Sequence, residues 1–187
     1  MALSSEEVIR QAMISILEFE GGATYTDDPD DAGGPTKFGV ALNFNRDVIP
    51  DKNGDGRITA EDVKLLDKSD ALGIFRTKYW DRNGCDALPP PLAFEYVDMV
   101  VNPGPGAAPK LLQRALRGLG ADIAVDGRVG PRTLAAIDAF TLRDVITRLA
   151  DERILYYRSR PKFWKYGRGW TRRATLCRDR ALALLDG

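Results

Sequence analysis

The sequence predicts a mainly α-helical fold on three observations. Apolar residues recur at helical spacing through most long segments, clusters of glycine and proline separate those segments, and no convincing strand exceeds a few residues. The 187 residues suffice for one domain with a core, or for one domain with a small helical appendage. No segment approaches the roughly 20 apolar residues that span a bilayer, and the acidic, amphipathic N-terminus does not resemble a secretory signal.

The predicted elements begin with an amphipathic helix over residues 5–19. Gly21 and Gly22 end it, which places Glu20 on its last turn. Residues 23–36 are rich in Asp, Gly, Pro and Thr and predict an ordered loop or a short hairpin. Further helices are predicted over 61–66, 69–79, 92–101 and 107–119, from near Pro131, along an apolar stripe from 135 to 157, and over 171–185.

Histidine is absent from the sequence, and its absence narrows the possible chemistry. Ser-His-Asp and Cys-His nucleophile systems are excluded, as are His-ligated zinc sites of hydrolytic enzymes. Two cysteines, Cys85 and Cys177, cannot replace those ligands and are predicted to be buried thiols rather than a disulfide. If the chain is a hydrolase, it must work with carboxylates, which favours glycosidic bonds as substrates.

The charges are unevenly distributed although 27 basic and 27 acidic residues cancel. Cations outnumber carboxylates in residues 143–187, and residues 156–173 interleave them with aromatic rings. Such a tail predicts contact with an anionic envelope or with a glycan. A solvated basic face over core aromatics is the alternative. No nucleic-acid partner is expected, because no reader motif accompanies the composition.

Glu20 and the acidic loop after it carry the functional hypothesis. A glycosidase needs one carboxylic acid held protonated to donate to the leaving oxygen, and a second polar group that positions water or stabilises the oxocarbenium-like transition state. A Glu at the negative end of a helix favours the protonated form and suits the first role. Asp30 or Asp31, with the Thr36 hydroxyl, suits the second. The alternative is a solvated carboxylate followed by an ordinary turn.

The same segment resembles a known family. Residues 20–25 read EGGATY and residues 28–40 read DPDDAGGPTKFGV. They are similar to the pattern of glycoside hydrolase family 108, a group of phage and bacterial N-acetylmuramidases: Glu-Gly-Gly-Tyr, then Asp-Pro-x-Asp-Pro-Gly-Gly-x-Thr and Gly-Ile or Gly-Val. Ala23 stands in place of the Tyr, with Tyr25 two residues later, and Ala32 in place of a Pro.

The resemblance implies roles for individual residues. It makes Glu20 the catalytic acid, and it leaves two candidates for the assisting carboxylate. Asp31 matches the Asp of the family's Asp-Pro-Gly-Gly, whereas Asp30 lies six residues before Thr36, as in the Glu…Asp-x5-Thr arrangement of phage lysozymes. Tyr25 is expected to bind substrate.

The resemblance continues to the end of the chain. Residues 79–81 and 97–104 match the family's Tyr-Trp and Asp-x-x-x-Asn-x-Gly segments, and residues 169–173 match its Gly-Trp-x-x-Arg close. Residues 112–134 resemble a predicted peptidoglycan-binding region. The implied substrate-binding residues are Asn102 and Trp170. The implied architecture is a lysozyme-like helical catalytic region, 1–104, and a helical peptidoglycan-binding region, 105–187.

Residues 51–62 independently fit the twelve-residue EF-hand loop. Oxygen donors stand at positions 1, 3 and 5, glycine at 6, an apolar residue at 8, a hydroxyl at 9 and a carboxylate at 12. A structural Ca²⁺ is expected, with Mg²⁺ tolerated because the last ligand is Asp rather than Glu. The alternative is an acidic turn that matches by chance. The predicted ligands are Asp51, Asn53, Asp55, Arg57 through its carbonyl, Thr59 and Asp62.

These features predict a monomeric, endolysin-type muramidase that hydrolyses the β-1,4 bond between N-acetylmuramic acid and N-acetylglucosamine and needs no cofactor for the chemistry. Without a secretory signal, it would await holin-type release from the host cytoplasm. Three rivals remain: a non-catalytic peptidoglycan-binding or secretion-assisting protein, a dockerin-like calcium-dependent module, and a lytic transglycosylase, whose product would be a 1,6-anhydro sugar.

Overall fold

The computed structural model describes residues 5–19 and 22–186, and over them the predicted mainly helical fold is confirmed. No helix in these ranges combines the length and apolarity needed to cross a membrane. The helices are α1 (Ser5–Phe19), α2 (Leu42–Asn45), α3 (Ala60–Leu65), α4 (Lys68–Phe75), α5 (Pro90–Val101), α6 (Ala108–Gly118), α7 (Pro131–Asp138), α8 (Leu142–Arg158) and α9 (Phe163–Asp186). Strands β1 (Thr36–Lys37) and β2 (Val40–Ala41) form the sheet.

The contacts divide the chain into two units. Residues 13–82 form the first, which we call the loop unit because it contains the acidic loop, the hairpin and the EF-hand-like segment. Residues 1–12 and 83–187 form the second, which we call the helical unit. The division falls within α1.

A two-residue turn builds the hairpin of the loop unit. Strands β1 and β2 pair antiparallel with Thr36 opposite Ala41, and Thr26 forms a further bridge to Thr36. Phe38 and Gly39 between them both have positive φ, 53° and 73°, as the favoured type of tight hairpin turn requires. Residues 23–35 are therefore a loop tied by the Thr26–Thr36 bridge, and the hairpin begins at Thr36, at the end of the range for which a loop or a short hairpin was predicted.

Lysine side chains close the ends of two short helices in the loop unit. Lys37 Nζ donates hydrogen bonds to the carbonyl oxygens of Lys64 at 2.6 Å and Leu66 at 2.7 Å, at the end of α3. Lys78 Nζ donates to the carbonyl oxygen of Phe44, at the end of α2. Cations satisfy carbonyls that a helix end leaves unpaired. These contacts therefore hold α3 to the hairpin and α2 to the turn that follows α4.

The predicted helix over residues 69–79 is interrupted. Asp67 caps α4 in a capping box with Asp70, and α4 ends at Phe75. Arg76–Trp80 then forms a single π-helical turn, which the 3.6-residue pattern does not reveal. Trp80 at its end is buried.

The helical unit is formed mainly by α5, α6, α8 and α9, which pack on one another. The apolar pattern over 135–157 extends across two helices, α7 and α8. Thr141 begins α8, because its side chain accepts a hydrogen bond from the backbone N–H of Asp144. Helix α9 begins eight residues before the predicted Thr171. Gly167 inside it lets the Phe163 ring pack closely, since a Cβ there would lie 2.6 Å from that ring and would displace it.

Candidate active site and substrate-binding residues

The acidic loop is held by hydrogen bonds between near neighbours. Glu20, the predicted acid, lies outside the described residues. Asp31 accepts a hydrogen bond from the Gly33 N–H at Oδ1, 2.8 Å, and its carbonyl accepts one from the Gly34 N–H, 2.9 Å. Thr36 Oγ1 donates to the Gly34 carbonyl at 2.8 Å. The loop therefore presents Asp31 and Thr36 on one ordered turn.

The two glycines of this turn are needed for close packing. A Cβ at Gly33 would lie 2.9 Å from the Ala41 Cβ, and one at Gly34 would lie 2.9 Å from Asn43 Nδ2. Gly34 also has a φ of 65°, which disfavours other residues. The Gly-Gly pair therefore allows the acidic turn to lie against β2 and α2.

Asp30 and Asp31 differ in how their carboxylates are used. Both side chains are exposed. The Asp31 carboxylate orders the turn through Gly33, whereas the Asp30 carboxylate has no hydrogen-bond partner among the residues described. Asp30 contributes its backbone N–H to Asp28 Oδ1 at 2.9 Å. Asp30 therefore has a carboxylate available for water or substrate, and Asp31 has one already engaged.

Tyr25 lies half-buried near the start of the loop. Its hydroxyl donates to Asp27 Oδ2 at 3.1 Å, and Lys64 Nζ lies 5.5 Å from the ring centroid. Partial burial and the Asp27 carboxylate raise the pKa of Tyr25, so the hydroxyl is neutral and can donate hydrogen bonds over the physiological range.

The EF-hand-like segment forms a tight loop whose acidic side chains accept its own backbone N–H groups. Asp51 accepts from Gly54 at 2.7 Å and from Gly56 at 2.8 Å, and both glycines have positive φ. Asn53 accepts from the N–H of Asp55, and Asp55 accepts from that of Arg57. The donor set is entirely oxygen, which is the chemistry that Ca²⁺ prefers.

Asp62, the last predicted ligand, closes the loop. One of its oxygens accepts from the backbone N–H groups of Lys52, 2.8 Å, and Asn53, 3.4 Å, and the other from that of Thr59, 2.8 Å. The Thr59 amide is the main cause of the lowered pKa of Asp62. No three acidic, Cys or His side chains in the described residues group as metal ligands. The oxygen donors of residues 51–62 fit Ca²⁺ by type, but the carboxylates among these described residues are not gathered around a common point. The calcium site therefore stays a prediction.

Asn102 lies in the helical unit at the end of a hydrogen-bonded chain. Arg153 Nε donates to the Tyr157 hydroxyl at 2.7 Å, so that hydroxyl must give its own hydrogen to Asn102 Oδ1, 2.5 Å away. This fixes the amide orientation and leaves Asn102 Nδ2 without an acceptor in the described structure. Trp170, the other predicted binding residue of this unit, packs on Tyr157 at 5.3 Å between ring centroids.

A buried ionic cluster lies behind Tyr157, and the sequence analysis did not find it. Asp98 is 2% exposed and forms ion pairs with Arg153 and with Arg173, the latter at 2.8 Å. Burial alone would raise the pKa of Asp98, but the two guanidinium groups hold it below the usual value. The available signal was three charged residues at positions that helical spacing assigns to the core.

Glu95 is a second buried acid that the sequence analysis missed. It is fully buried, and neither of its carboxylate oxygens has a hydrogen-bond partner in the described residues. Burial raises the pKa of Glu95 to about 8, against the opposing effect of Arg153. Its neutral form therefore dominates at pH 7, as expected where burial penalises the charged form more than the nearby guanidinium favours it.

Known families and structures match this arrangement. The family model described as Glycosyl hydrolase 108 matches residues 13–104, and the one described as Predicted Peptidoglycan domain matches residues 107–175. SagA from Brucella abortus matches with 32% identity and a TM-score of 0.74, covering 96% of each chain. The chain belongs to glycosyl hydrolase family 108. Curated proteins give no match.

Membership of family 108 confirms the predicted enzyme class. The protein is a glycoside hydrolase of the muramidase type that acts on peptidoglycan, and it carries a peptidoglycan-binding domain. The family matches meet between residues 104 and 107, whereas the contacts divide the chain between 12 and 13 and between 82 and 83. Because similarity and contacts divide the chain differently, the predicted domains 1–104 and 105–187 stay a prediction.

Proposed function

We propose that this family 108 enzyme hydrolyses the β-1,4 bond between N-acetylmuramic acid and N-acetylglucosamine. Glu20 protonates the glycosidic oxygen, while an acidic-loop carboxylate and the Thr36 hydroxyl position water or stabilise the developing positive charge. The observation that carries the proposal is the ordered acidic turn, which holds two exposed carboxylates and Thr36 within the residues that match the family.

The decisive experiment compares the wild type with Glu20→Gln on purified peptidoglycan, by loss of turbidity and mass spectrometry of the products. We expect reducing muramic-acid ends from the wild type and none from the variant. Glu18→Gln, which alters a carboxylate two residues earlier, is the matched control and should remain active. Release of 1,6-anhydro products would identify a lytic transglycosylase instead. If the wild type binds peptidoglycan without cleaving it, the protein is a binding module.

We assign the assisting role to Asp30, because its carboxylate is unengaged whereas that of Asp31 orders the turn. Asp30→Asn should lower kcat by 100-fold or more, on the order of what a catalytic carboxylate contributes. Asp31→Asn keeps an acceptor for Gly33 and should retain most of the activity. The reverse ranking would assign the role to Asp31.

The EF-hand-like loop is proposed to bind a structural Ca²⁺ through the side chains of Asp51, Asn53, Asp55, Thr59 and Asp62 and the Arg57 carbonyl. Its support is the all-oxygen donor set on a closed loop with glycines at the sharp turns. Binding to the folded state alone would raise the Tm in Ca²⁺ relative to a chelator. The double variant Asp51→Asn/Asp55→Asn should lose that difference. An identical Tm in Ca²⁺ and chelator would refute the site.

Biologically, the proposal is a phage-type endolysin that acts as a monomer after holin-type release from the host cytoplasm. The basic tail would add contact with the anionic envelope. Expression in a bacterium with and without a holin tests this directly, since lysis should require both proteins. Lysis without the holin would contradict the release step.

A further inference from the structure

A pocket of about 370 Å³ opens in the helical unit beside α6 and α8. Its volume lies within the range of small-molecule and peptide sites. Lys110 and Arg114 of α6 and Tyr156 of α8 line it together with the turn before α6. None of these three residues was predicted to bind substrate from the sequence.

The charges of the pocket have one sign. Lys110 and Arg114 lie one helical turn apart and are exposed. Neither forms an ion pair or hydrogen bond in the described part of the chain, and no carboxylate lines the pocket. Arg148, on α8, is by contrast paired with Glu152 at 2.8 Å. Two adjacent cations without a counterion are suited to an anionic ligand.

The Lys110 side chain packs against a neighbouring turn. The Lys110 side chain lies beside Gly127, where an added Cβ would be 3.1 Å from Lys110 Cε. Gly127 is in turn held by its N–H, which donates to the buried Gln113 side chain at 2.8 Å. Arg160 lies over the Tyr156 ring, 4.4 Å from its centroid, and adds a third cation beside the pocket.

The rest of the pocket is apolar and small. Leu111 is 1% exposed and forms its floor, and Pro103 and Ala107 line its side. The Tyr156 hydroxyl has no hydrogen-bond partner among the described residues and can donate to a ligand oxygen. The pocket therefore combines donors for a carboxylate with room for methyl-sized side chains.

We propose that this pocket binds a free carboxylate of the stem peptides of peptidoglycan. Stem peptides carry free carboxylates and alanyl methyl groups, whereas the lactyl carboxyl of the sugar to which they are attached is consumed in the amide bond to the peptide. Lys110 and Arg114 bind the carboxylate, and the alanyl side chains lie against Leu111, Pro103 and Ala107. The proposal rests on the proposed function, because it assigns a part of the same substrate to a second position on the enzyme.

The test is binding to purified sacculi stripped of teichoic acid, measured by sedimentation with full-length Glu20→Gln protein so that the sacculi stay intact. In this background, Lys110→Gln and Arg114→Gln should each weaken binding about tenfold, as for loss of one charge-assisted hydrogen bond. Arg117→Gln removes the same charge from the same helix outside the pocket and should change binding less than about twofold. Thermal unfolding establishes that each variant is folded.

Modified sacculi identify the ligand group. Amidating the peptide carboxylates should reduce binding of the parent protein to that of the Arg114→Gln variant. Equal losses for Arg114→Gln and Arg117→Gln, unchanged binding to amidated sacculi, or preferential binding to purified teichoic acid would each overturn the proposal. Wild-type cleavage measured on the same sacculi tests the muramidase assignment separately, since loss of pocket binding and absence of cleavage are independent results.

Discussion

The acidic loop and the buried cluster of the helical unit use carboxylates in opposite ways. Asp31 is exposed and accepts from a backbone N–H two residues away. Asp98 is buried and is bound by Arg153 and Arg173, which lie 55 and 75 residues further along the chain. The first arrangement depends on a short motif, and the second exists only when distant helices are packed together.

The exposed carboxylates are suited to catalysis, whereas the buried cluster is suited to stabilising the fold. Exposed carboxylates in a polar turn contribute little to the free energy of unfolding and remain available for substrate. A buried ionic cluster becomes strongly destabilising when one partner is removed, because an uncompensated charge stays buried. Substitutions in the acidic loop should therefore lower activity more than stability, and substitutions in the buried cluster should lower stability more than activity.

The largest effect is expected for Asp98→Asn. The substitution preserves shape but leaves the two guanidinium groups without a carboxylate, so the free energy of unfolding should fall by about 3–5 kcal/mol in urea titrations. The control is Asp47→Asn, which breaks the exposed 2.8 Å pair with Arg82 and should leave stability unchanged. A loss below about 1 kcal/mol for Asp98→Asn would show that the cluster is not essential to packing.

Glu95 should make stability depend on pH between about 4.5 and 8. Its pKa is raised from 4.5 to about 8, so the folded state holds more protons than the unfolded state in this interval, and stability must fall as pH rises through it. The charged groups around Glu95 are Arg153, Asp98, Arg178 and Asp151. The loss by pH 8 should be on the order of a few kcal/mol.

Glu95→Gln is the matched variant for this pH dependence. It should abolish most of the fall in urea-derived stability between pH 5 and pH 8. The chain contains no histidine, so no imidazole contributes to the pH dependence of stability in that interval. The Asp98 pKa is lowered from 3.8, so its titration lies below the interval. A wild type with equal stability at both pH values would contradict a buried neutral Glu95.

The sequence predicted what local patterns encode. Helix α1, the acidic turn and the loop over 51–62 were found because their residue types and spacing are determined by near neighbours. The Asp98 cluster was not found, because it depends on which helices meet in space. The N-cap at Thr141 is local and was missed because the apolar pattern continues across it, and the π-helical turn departs from the 3.6-residue period.

A smaller effect should separate the two hydrogen bonds of Tyr157. Tyr157→Phe keeps the ring against Trp170 but removes the acceptor of Arg153 Nε, and should cost about 1–3 kcal/mol. Asn102→Asp retains an acceptor for the Tyr157 hydroxyl and should leave stability unchanged, while it removes the Nδ2 N–H donor. If Asn102 binds substrate, Asn102→Asp should therefore raise KM with normal unfolding.

The smallest effect is expected in the acidic turn itself. Asp31→Ala removes the acceptor for the Gly33 N–H and should lower the free energy of unfolding by about 0.5–1 kcal/mol, a Tm decrease of about 1–4 °C for a chain of this size. Asp31→Asn keeps that acceptor, and Asp30→Ala removes a carboxylate that has no partner in the described residues. Both variants should therefore have the Tm of the wild type. A Tm decrease for Asp30→Ala equal to that of Asp31→Ala would mean that Asp30 also orders the turn, and the distinction that assigns it to catalysis would be lost.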